Sequence, residues 1–409
     1  MSLLAAAQSF RRSRHATALQ LSEIVQITEA AKAMRANGQD ILSFSTGEPD
    51  FATPDYVIEA TCAAIRDGAI AYPATQGTLE LRWAICDSAA SDLGGSPDAA
   101  EVIVSNGVKQ VLSNALQATL DPDDEVILPA PYWTSYADMI SFARGKMVSI
   151  QCDVATGFAL TPEQLEAAIT PRTRWLILNS PGNPSGRLYS AGELAALAEV
   201  LRRHPQVWVM ADEIYQHIAY APFRSFREVA PDLAHRTLIA NGVSKAYAMM
   251  GWRIGWGIGP VDLIQAMVAV QGQATSGASA VSQIAATVAL TSPQDLLRVR
   301  CASFRARRDL VVAAVNAVPG LSCITPGGAF YVFPSCSGIF GARTPQGLQV
   351  NNDADYCRYI LESGSVALVP GRAFGMPGFF RLSYAYANSE LVEGCNRISA
   401  ATQRLTNLP

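Results

Sequence analysis

The chain has 409 residues, of which 49% are hydrophobic and 16% charged, so it has enough length and apolar material for two or more lobes. Its 31 lysine and arginine residues against 35 aspartate and glutamate residues give a formal net charge of −4, without the basic excess that points to nucleic acid or anionic membranes. The eight cysteines are scattered, without metal-ligand spacing, so we expect free thiols in a reducing cytoplasm, no metal site and no disulfide framework.

The N-terminal segment is basic. Residues 1–15 carry no acidic side chain, and their apolar stretch Leu3–Ala7 is shorter than the core of a signal peptide. We predict an exposed arm here, with a transit peptide as the alternative. No apolar run elsewhere in the sequence is long enough to span a membrane, so we expect no membrane partner.

Helical patterns dominate up to residue 91. Apolar spacing predicts helices over residues 20–37, 55–67 and 78–91. After the first helix a short apolar strand from Ile41 runs into a turn at Gly47, which permits close backbone approach to a ligand or is simply a turn glycine. Tyr72 lies in a loop between helices, where its hydroxyl either serves a function or packs.

From Glu101 the pattern alternates between apolar strands and helices. Strands are predicted at residues 102–105, 125–128, 146–150, 174–178, 207–211, 237–240 and 254–258. Short strands with intervening helices are typical of an α/β fold in which a mostly parallel sheet is covered on both faces.

Polar and aromatic residues follow the carboxyl ends of these strands. They are Asn106, Gly107, Trp133, Asn183, Asp212, Tyr215 and Lys245. In open α/β sheets, ligands bind beyond the carboxyl ends of the strands. Each residue alone has a structural interpretation, but together they predict one shared site.

Lys245 and Arg253 indicate the chemistry of that site. A lysine at a strand end can be desolvated, lose its proton and attack a carbonyl. An arginine nearby can bind a phosphate through two parallel hydrogen bonds. An aldehyde and a phosphate on one molecule describe pyridoxal 5′-phosphate. For either residue alone, a surface lysine or a structural arginine would be the simpler interpretation.

The pattern changes again after about residue 290. An arginine-rich helix at 296–315 precedes strands at 325–333, 366–369 and 379–384 and helices at 353–363 and 389–404. Arg381 lies inside an apolar strand and needs an anion, which is either a protein carboxylate or a bound ligand. We predict an N-terminal arm and part of a small domain at 1–50, a large cofactor-binding domain at 51–295 and a small α+β domain at 296–409.

The chain resembles the class I aminotransferases of the pyridoxal-phosphate fold type I superfamily, from about residue 20 to 400. It is most similar to the alphaproteobacterial aspartate aminotransferases, some of which accept prephenate. The resemblance is carried by GEPDF (47–51), GVKQ (107–110), APYW (130–133), NSPGNPSG (179–186), ADEIY (211–215), NGVSKAY (241–247), GWRIG (251–255) and FRLSYA (380–385). It implies a seven-stranded, mostly parallel sheet in a large domain, with a smaller α+β domain built from both termini.

The resemblance also implies roles around the cofactor ring. Lys245 would carry pyridoxal 5′-phosphate as a Schiff base and later act as general base, and Asp212 would pair with the ring nitrogen. Tyr215 and Asn183 would hydrogen-bond the phenolic oxygen of the ring, and Trp133 would stack on its face.

Further roles concern the phosphate and the substrate. Gly107, Val108, Ser244 and Arg253 would surround the phosphate, and Tyr72 would reach the phosphate of a neighbouring subunit, which implies a homodimer with shared sites. The substrate would contact Gly47, Trp133, Asn183, Lys109 and Arg381. Among these, Arg381 would bind the α-carboxylate and Lys109 the distal carboxylate.

The expected reaction is ping-pong transamination between L-aspartate and 2-oxoglutarate, giving oxaloacetate and L-glutamate. Two alternatives stay open: transamination of an aromatic, prephenate-like or other amino acid, and β-elimination by a fold type I C–S lyase, since fold alone does not separate these reactions. The segment Leu19–Val25 departs from the family pattern, and Glu23 and Ile24 there leave the side-chain specificity open.

Overall fold

The computed structural model describes residue 11, residues 23–68 and residues 71–407. The predicted arm at 1–15 therefore lies outside the described residues except for residue 11, as does Leu19–Ser22 of the divergent segment. The α-helices are α1 Glu23–Ala36, α2 Asp55–Arg66, α3 Leu79–Ala89, α4 Val108–Thr119, α5 Ser135–Phe142, α6 Pro162–Ala168, α7 Ala191–Arg202, α8 Phe226–Val229, α9 Val261–Ala274, α10 Ala280–Thr291, α11 Asp295–Asn316, α12 Asp353–Gly364 and α13 Asn388–Gln403.

The strands are β1 Leu42–Ser43, β2 Val102–Ser105, β3 Glu125–Ala130, β4 Lys146–Gln151, β5 Thr173–Asn179, β6 Trp208–Asp212, β7 Thr237–Gly242, β8 Gly255–Ile258, β9 Tyr331–Val332, β10 Val366–Ala367, β11 Val369–Pro370 and β12 Phe380–Ser383.

Among the described residues, no helix combines the length and the apolar character needed to cross a membrane.

A seven-stranded sheet forms the centre of the molecule, in the order β2-β8-β7-β6-β5-β3-β4. β8 is antiparallel to both of its neighbours, and the pairs from β7 to β4 are parallel. The structure thus confirms the predicted mostly parallel sheet.

Alternate residues of the central strands belong to two different core clusters. Ile103 packs in one cluster, whereas Val102 and Val104 pack in the other. Because successive side chains of a strand point to opposite faces, both faces of the sheet are buried under helices. This burial explains why the strands read as continuous apolar runs.

The N-terminal and C-terminal parts of the chain meet in small sheets. β1 pairs in parallel with β10, with Leu42 opposite Val366, and a three-stranded antiparallel sheet has the order β11-β12-β9. The predicted strand at 366–369 is in fact two short strands in different sheets, and the strand predicted at 325–333 is limited to β9. The domain limits at residues 50 and 295 stay a prediction.

Buried arginines of α11 bind the N-terminal segment at residues 50–52 to this helix. Arg307 donates from Nη1 and Nη2 to the two carboxylate oxygens of Asp50, at 2.7 and 3.0 Å. Its guanidinium also lies 5.2 Å from the ring centroid of Phe51. One side chain of α11 therefore orients the segment that joins the Gly47 turn to α2.

We expect Arg307→Ala to lower the free energy of unfolding by about 2–4 kcal/mol, because it leaves a partly buried carboxylate without its partner. Urea unfolding measures this loss. Arg298 is the control, since it also pairs with an aspartate, Asp295, but both side chains are largely exposed. Equal effects of Arg298→Ala and Arg307→Ala would contradict the proposed fastening role.

Candidate active site

A cavity of about 500 Å³ opens where β5, β6 and β7 end and α4 begins. It is lined by Ile24, Gly47, Glu48, Val108, Lys109, Trp133, Tyr136, Asn179, Asn183, Asp212, Ile214, Tyr215, Ser244, Lys245, Met250, Gly251, Arg253, Tyr331 and Arg381. Of the site residues predicted from the sequence, Asn106, Gly107 and Tyr72 are missing from this lining.

Lys245 lies in the turn after β7 and reaches into the cavity. Its Nζ donates to the carbonyl oxygen of Gly47 at 2.7 Å. Burial lowers the pKa of Lys245 to about 8, and the positive charges of Arg381 and Arg253 act in the same direction. The amine is therefore more often neutral near physiological pH than an exposed lysine, as a nucleophile or a general base requires.

Asp212 ends β6 and is buried. Its Oδ2 accepts a hydrogen bond from the Tyr136 hydroxyl at 2.7 Å, and its Oδ1 accepts from the backbone N–H of Ile214 at 3.2 Å. Burial raises the pKa of Asp212 to about 6, although these hydrogen bonds and the charge of Lys245 act in the opposite direction. A cation or a protonated ring nitrogen beside this carboxylate would favour its ionised form.

Arg253 lines the cavity at the N-terminus of α4, and Gly107 lies against its guanidinium. Arg253 donates to the carbonyl oxygens of Met250 and Asn106 at 2.9 and 3.2 Å, and no ion pair joins it to an acidic side chain of the described residues. A Cβ at Gly107, where φ is +83°, would lie 2.4 Å from Arg253 Nη2. Glycine is thus required for this approach, which places an unpaired guanidinium at an uncapped helix N-terminus, an arrangement that fits a phosphate.

Arg381 of β12 is a second guanidinium without an acidic partner in the described chain. It is 2% exposed, and its Nη1 donates to Asn183 Oδ1 at 2.9 Å while Nη2 donates to the Ser45 carbonyl oxygen. Its Nε, although buried, has no hydrogen-bond partner. The sequence analysis allowed Arg381 either a protein carboxylate or a bound ligand as its anion, and the geometry favours the bound ligand.

Two further predicted residues form another wall. The Trp133 ring meets the Tyr136 ring edge to face, with centroids 5.3 Å apart. Lys109 Nζ lies 5.0 Å from the Trp133 ring centroid. Burial lowers the pKa of Lys109; the charge of Asp138 opposes this effect and that of Arg253 adds to it.

Tyr215 and Asn183 also line the cavity. The Tyr215 hydroxyl lies 2.9 Å from the Tyr331 hydroxyl, and burial raises the pKa of Tyr215 well above its usual value. The Asn183 backbone N–H donates to Asn179 Oδ1 at 2.8 Å, which fixes the loop after β5.

Tyr72 is 99% exposed and lies away from the cavity, so this single chain does not bring it to the other predicted residues. The divergent segment, in contrast, enters the site through Ile24. Glu23 begins α1 and pairs with Arg372 Nη2 at 2.6 Å, which fixes the start of this helix beside the cavity.

Several lining residues were not predicted. Asn179 and Tyr136 could have been found, since Asn179 opens the NSPGNPSG motif and Tyr136 follows Trp133 by one helical turn. Tyr331 lies in the aromatic run Phe330–Phe333, where the sequence gives no sign that one ring faces a ligand rather than the core.

The donor set fits pyridoxal 5′-phosphate and an amino acid. The buried amine of Lys245 suits the aldehyde, the buried carboxylate of Asp212 suits the ring nitrogen, and the glycine-dependent cradle at Arg253 suits the phosphate. The unpaired Nε of Arg381 leaves a second guanidinium free for a substrate carboxylate.

Comparisons with known proteins agree with this chemistry. The family profile described as "Aminotransferase class I and II" matches residues 39–398. An aspartate aminotransferase of Rhizobium meliloti (strain 1021) is 50% identical over 97% of both chains, and an aspartate/prephenate aminotransferase of Cereibacter sphaeroides is 48% identical over 93% of this chain and 95% of the relative. The crystal structure of the aspartate aminotransferase from Rhizobium meliloti superposes with a TM-score of 0.94, at 50% identity, over 97% of this chain and all of that one.

These matches confirm the fold class and the cofactor predicted from the sequence. The chain belongs to the family of class I and II aminotransferases and is a pyridoxal 5′-phosphate-dependent aminotransferase.

Proposed function

We propose that the enzyme transfers the amino group of L-aspartate to 2-oxoglutarate and produces oxaloacetate and L-glutamate. The observation that carries this proposal is the charge of the cavity: Arg253, Arg381 and Lys109 line it, and none of the three is ion-paired with an acidic side chain in the described part of the chain. Three unpaired cations match one phosphate and the two carboxylates of a dicarboxylic substrate. The 50% identical relative named aspartate aminotransferase supports the same substrate.

The cofactor would be held on all sides by residues of this chain. Lys245 would bond to its aldehyde carbon, and Asp212 would hold a proton on its ring nitrogen. The face, the phenolic oxygen and the phosphate would contact Trp133, Asn183, Tyr215, Gly107, Val108, Ser244 and Arg253. When bound, the cofactor supplies an electron sink for the negative charge that develops at the substrate α-carbon.

The steps of the reaction follow from the positions of three side chains. Arg381 binds the substrate α-carboxylate and thereby orients the Cα–H bond. Once the substrate amine had taken its place, Lys245 would act as general base at the Cα proton and would carry that proton to the bound cofactor. Asp212 stays ionised beside the protonated ring nitrogen. Addition of water would release the 2-oxo acid while its amino group stays with the cofactor, and a second 2-oxo acid would reverse these steps, which gives ping-pong kinetics.

A second candidate substrate class is aromatic or prephenate-like amino acids. The 48% identical relative is named an aspartate/prephenate aminotransferase, and Ile24 adds an apolar side chain to the cavity wall. Mixing the enzyme with each amino acid in the absence of a 2-oxo acid, and following the conversion of the cofactor to its amine form by absorbance, ranks the donors. Faster conversion by aromatic amino acids than by aspartate would overturn the choice of L-aspartate.

The proposal includes a cytoplasmic homodimer with shared sites. Large apolar side chains are exposed along α2, α3 and their connection, namely Ile58, Ile65, Tyr72, Leu79 and Trp83. Exposed apolar side chains are available for a protein interface, and in a dimer Tyr72 would approach the phosphate of the partner. The eight free cysteines support a reducing compartment.

We expect Lys245→Ala to abolish both transamination and the absorbance of the lysine-bound cofactor, because no other amine could take over its two roles. The sequence has three further lysines, Lys32, Lys109 and Lys146. Lys146→Ala is the control, since Lys146 is exposed on β4. Measurable steady-state transamination by Lys245→Ala would end the assignment.

Arg381→Ala and Lys109→Ala separate the two carboxylate sites. We expect Arg381→Ala to lower kcat/KM for every amino acid by at least about 30-fold, as the loss of a buried charge-assisted contact implies. Lys109→Ala should raise KM for aspartate and glutamate but not for an uncharged donor. An unchanged KM for aspartate in Lys109→Ala would remove Lys109 from the distal-carboxylate site.

The pKa of Lys245, lowered to about 8 chiefly by burial, predicts how the apoenzyme reacts with pH. Since the neutral amine is the reactive form, reductive alkylation of Lys245 by a small neutral aldehyde should rise with pH and reach half its maximum near pH 8. Arg381→Ala removes a like charge, so its half-maximum should move to higher pH. Mass spectrometry of the labelled peptide measures both, and a shift to lower pH would contradict the electrostatic cause.

A further inference from the structure

Tyr331 lies beside three residues that the proposed function uses, namely Tyr215, Arg381 and Gly47. It lies in β9, is 1% exposed and lines the cavity. Its hydroxyl lies 2.9 Å from that of Tyr215, and its ring centroid lies 4.6 Å from the guanidinium carbon of Arg381. β9 is also paired with β12, the strand that carries Arg381.

The position of the Tyr331 hydroxyl depends on Gly47. A Cβ at Gly47 would lie 2.1 Å from the Tyr331 oxygen, so any other residue would displace the phenol. The carbonyl oxygen of the same glycine accepts the hydrogen bond from Lys245 Nζ at 2.7 Å. The segment that contacts the reactive lysine therefore also fixes the end of the Tyr331 side chain.

We propose that Tyr331 is a positioning residue for transamination: its hydroxyl sets the direction in which Tyr215 donates, and its ring holds the Arg381 guanidinium in place for the substrate carboxylate. This inference rests on the proposed roles of Tyr215 and Arg381. Tyr331 itself need not touch the reacting atoms.

The role of the Tyr331 hydroxyl follows from the number of hydroxyl hydrogens that Tyr215 and Tyr331 have between them. Burial raises the pKa of both Tyr215 and Tyr331, so each hydroxyl keeps its hydrogen near neutral pH. One hydrogen bond between them uses one hydrogen, and in the described chain the Tyr331 hydroxyl has no other hydrogen-bond partner. If Tyr331 donates, the hydrogen of Tyr215 is free for the phenolic oxygen of the cofactor, and the two bonds strengthen each other.

The role of the ring follows from the surroundings of Arg381. Asn183 and Ser45 accept from its two Nη atoms, and its Nε is left without a partner. The rings of Tyr331 and Phe374 lie 4.6 and 5.0 Å from its guanidinium carbon. Attraction between a cation and an aromatic face is strongest when the cation is desolvated, as it is here. The ring of Tyr331 therefore restrains Arg381, which lines the cavity without an acidic partner in the described chain.

Tyr331→Phe tests the hydroxyl in the holoenzyme. A hydrogen bond to the phenolic oxygen stabilises the bound cofactor after it has lost a proton, so a weaker donor raises the pH midpoint of its absorbance change. We expect the midpoint to rise in Tyr331→Phe and to rise further in Tyr215→Phe. Tyr356→Phe is the matched control and should not move it, because that buried hydroxyl bonds Thr402 Oγ1 at 2.8 Å and does not line the cavity.

Tyr331→Leu tests the ring. The probe is maleate, a dicarboxylate without an amino group, and its binding to the holoenzyme is measured by calorimetry. We expect Tyr331→Leu to weaken maleate binding about tenfold and Tyr331→Phe to change it less than about twofold, because phenylalanine keeps the aromatic face. Thermal unfolding verifies that each variant is folded. If Tyr331→Leu does not fold, Tyr331→Met replaces it in the maleate measurement, and the same loss of binding is expected.

The outcomes separate this inference from the proposed function. An unchanged midpoint in Tyr331→Phe alongside a shifted midpoint in Tyr215→Phe would overturn the role of the hydroxyl only. Unchanged maleate binding in Tyr331→Leu alongside weakened binding in Arg381→Ala would overturn the role of the ring only. If Tyr215→Phe and Arg381→Ala themselves have no effect, the proposed function fails and the inference fails with it.

Discussion

The excess of positive over negative side chains in one cavity is the constraint on which the site depends. Lys245, Arg253 and Arg381 line one cavity; desolvation, and after it the charges of the two arginines, lowers the pKa of the lysine against the opposing charges of Glu48 and Asp212. Burying a cation is costly unless an anion compensates it. The surrounding fold therefore has to hold these groups in place until the ligand supplies the anions, and ligand binding should stabilise the folded protein.

The N-terminal and C-terminal parts of the chain help to keep the charged groups of the cavity in place. Arg381 comes from β12 and Gly47 from the segment after β1, whereas Lys245 and Asp212 come from the central sheet. Ion pairs such as Arg307–Asp50 fix the N-terminal segment to α11. The cavity is thus formed where three separate stretches of sequence converge, and its geometry depends on contacts well outside it.

The sequence predicted the central sheet well because its strands are buried on both faces, which leaves continuous apolar runs between turn residues. It predicted the C-terminal strands poorly, because β9, β10 and β11 have two residues each and are set by tertiary pairing. The helices α5, α9 and α10 were not predicted. Those near residues 261–291 have apolar residues on several faces, so a 3.6-residue period is weak there.

The site could be predicted to a similar extent. Polar residues at strand ends, such as Asp212 and Lys245, were found because parallel strands bring their carboxyl ends to one edge. Tyr331 was missed because an aromatic residue in a short apolar strand looks the same whether it faces the core or a ligand. The roles of individual side chains, and the dimer that would give Tyr72 a purpose, come from family resemblance and are not encoded in strand positions.

The pairing of β1 with β10 has a consequence for biosynthesis. Leu42 lies opposite Val366, a separation of 324 residues (366 − 42), so among the described strands β1 has no partner until nearly the whole chain has left the ribosome. The central sheet, whose last strand ends at Ile258, has all its strands well before then. Domains generally fold as units in the order of synthesis. The N-terminal segment therefore stays without this strand pairing while the central sheet is already complete. A premature stop before residue 366 would remove β10, so that the segment around Gly47 and the incomplete cavity would lack the pairing of β1 with β10.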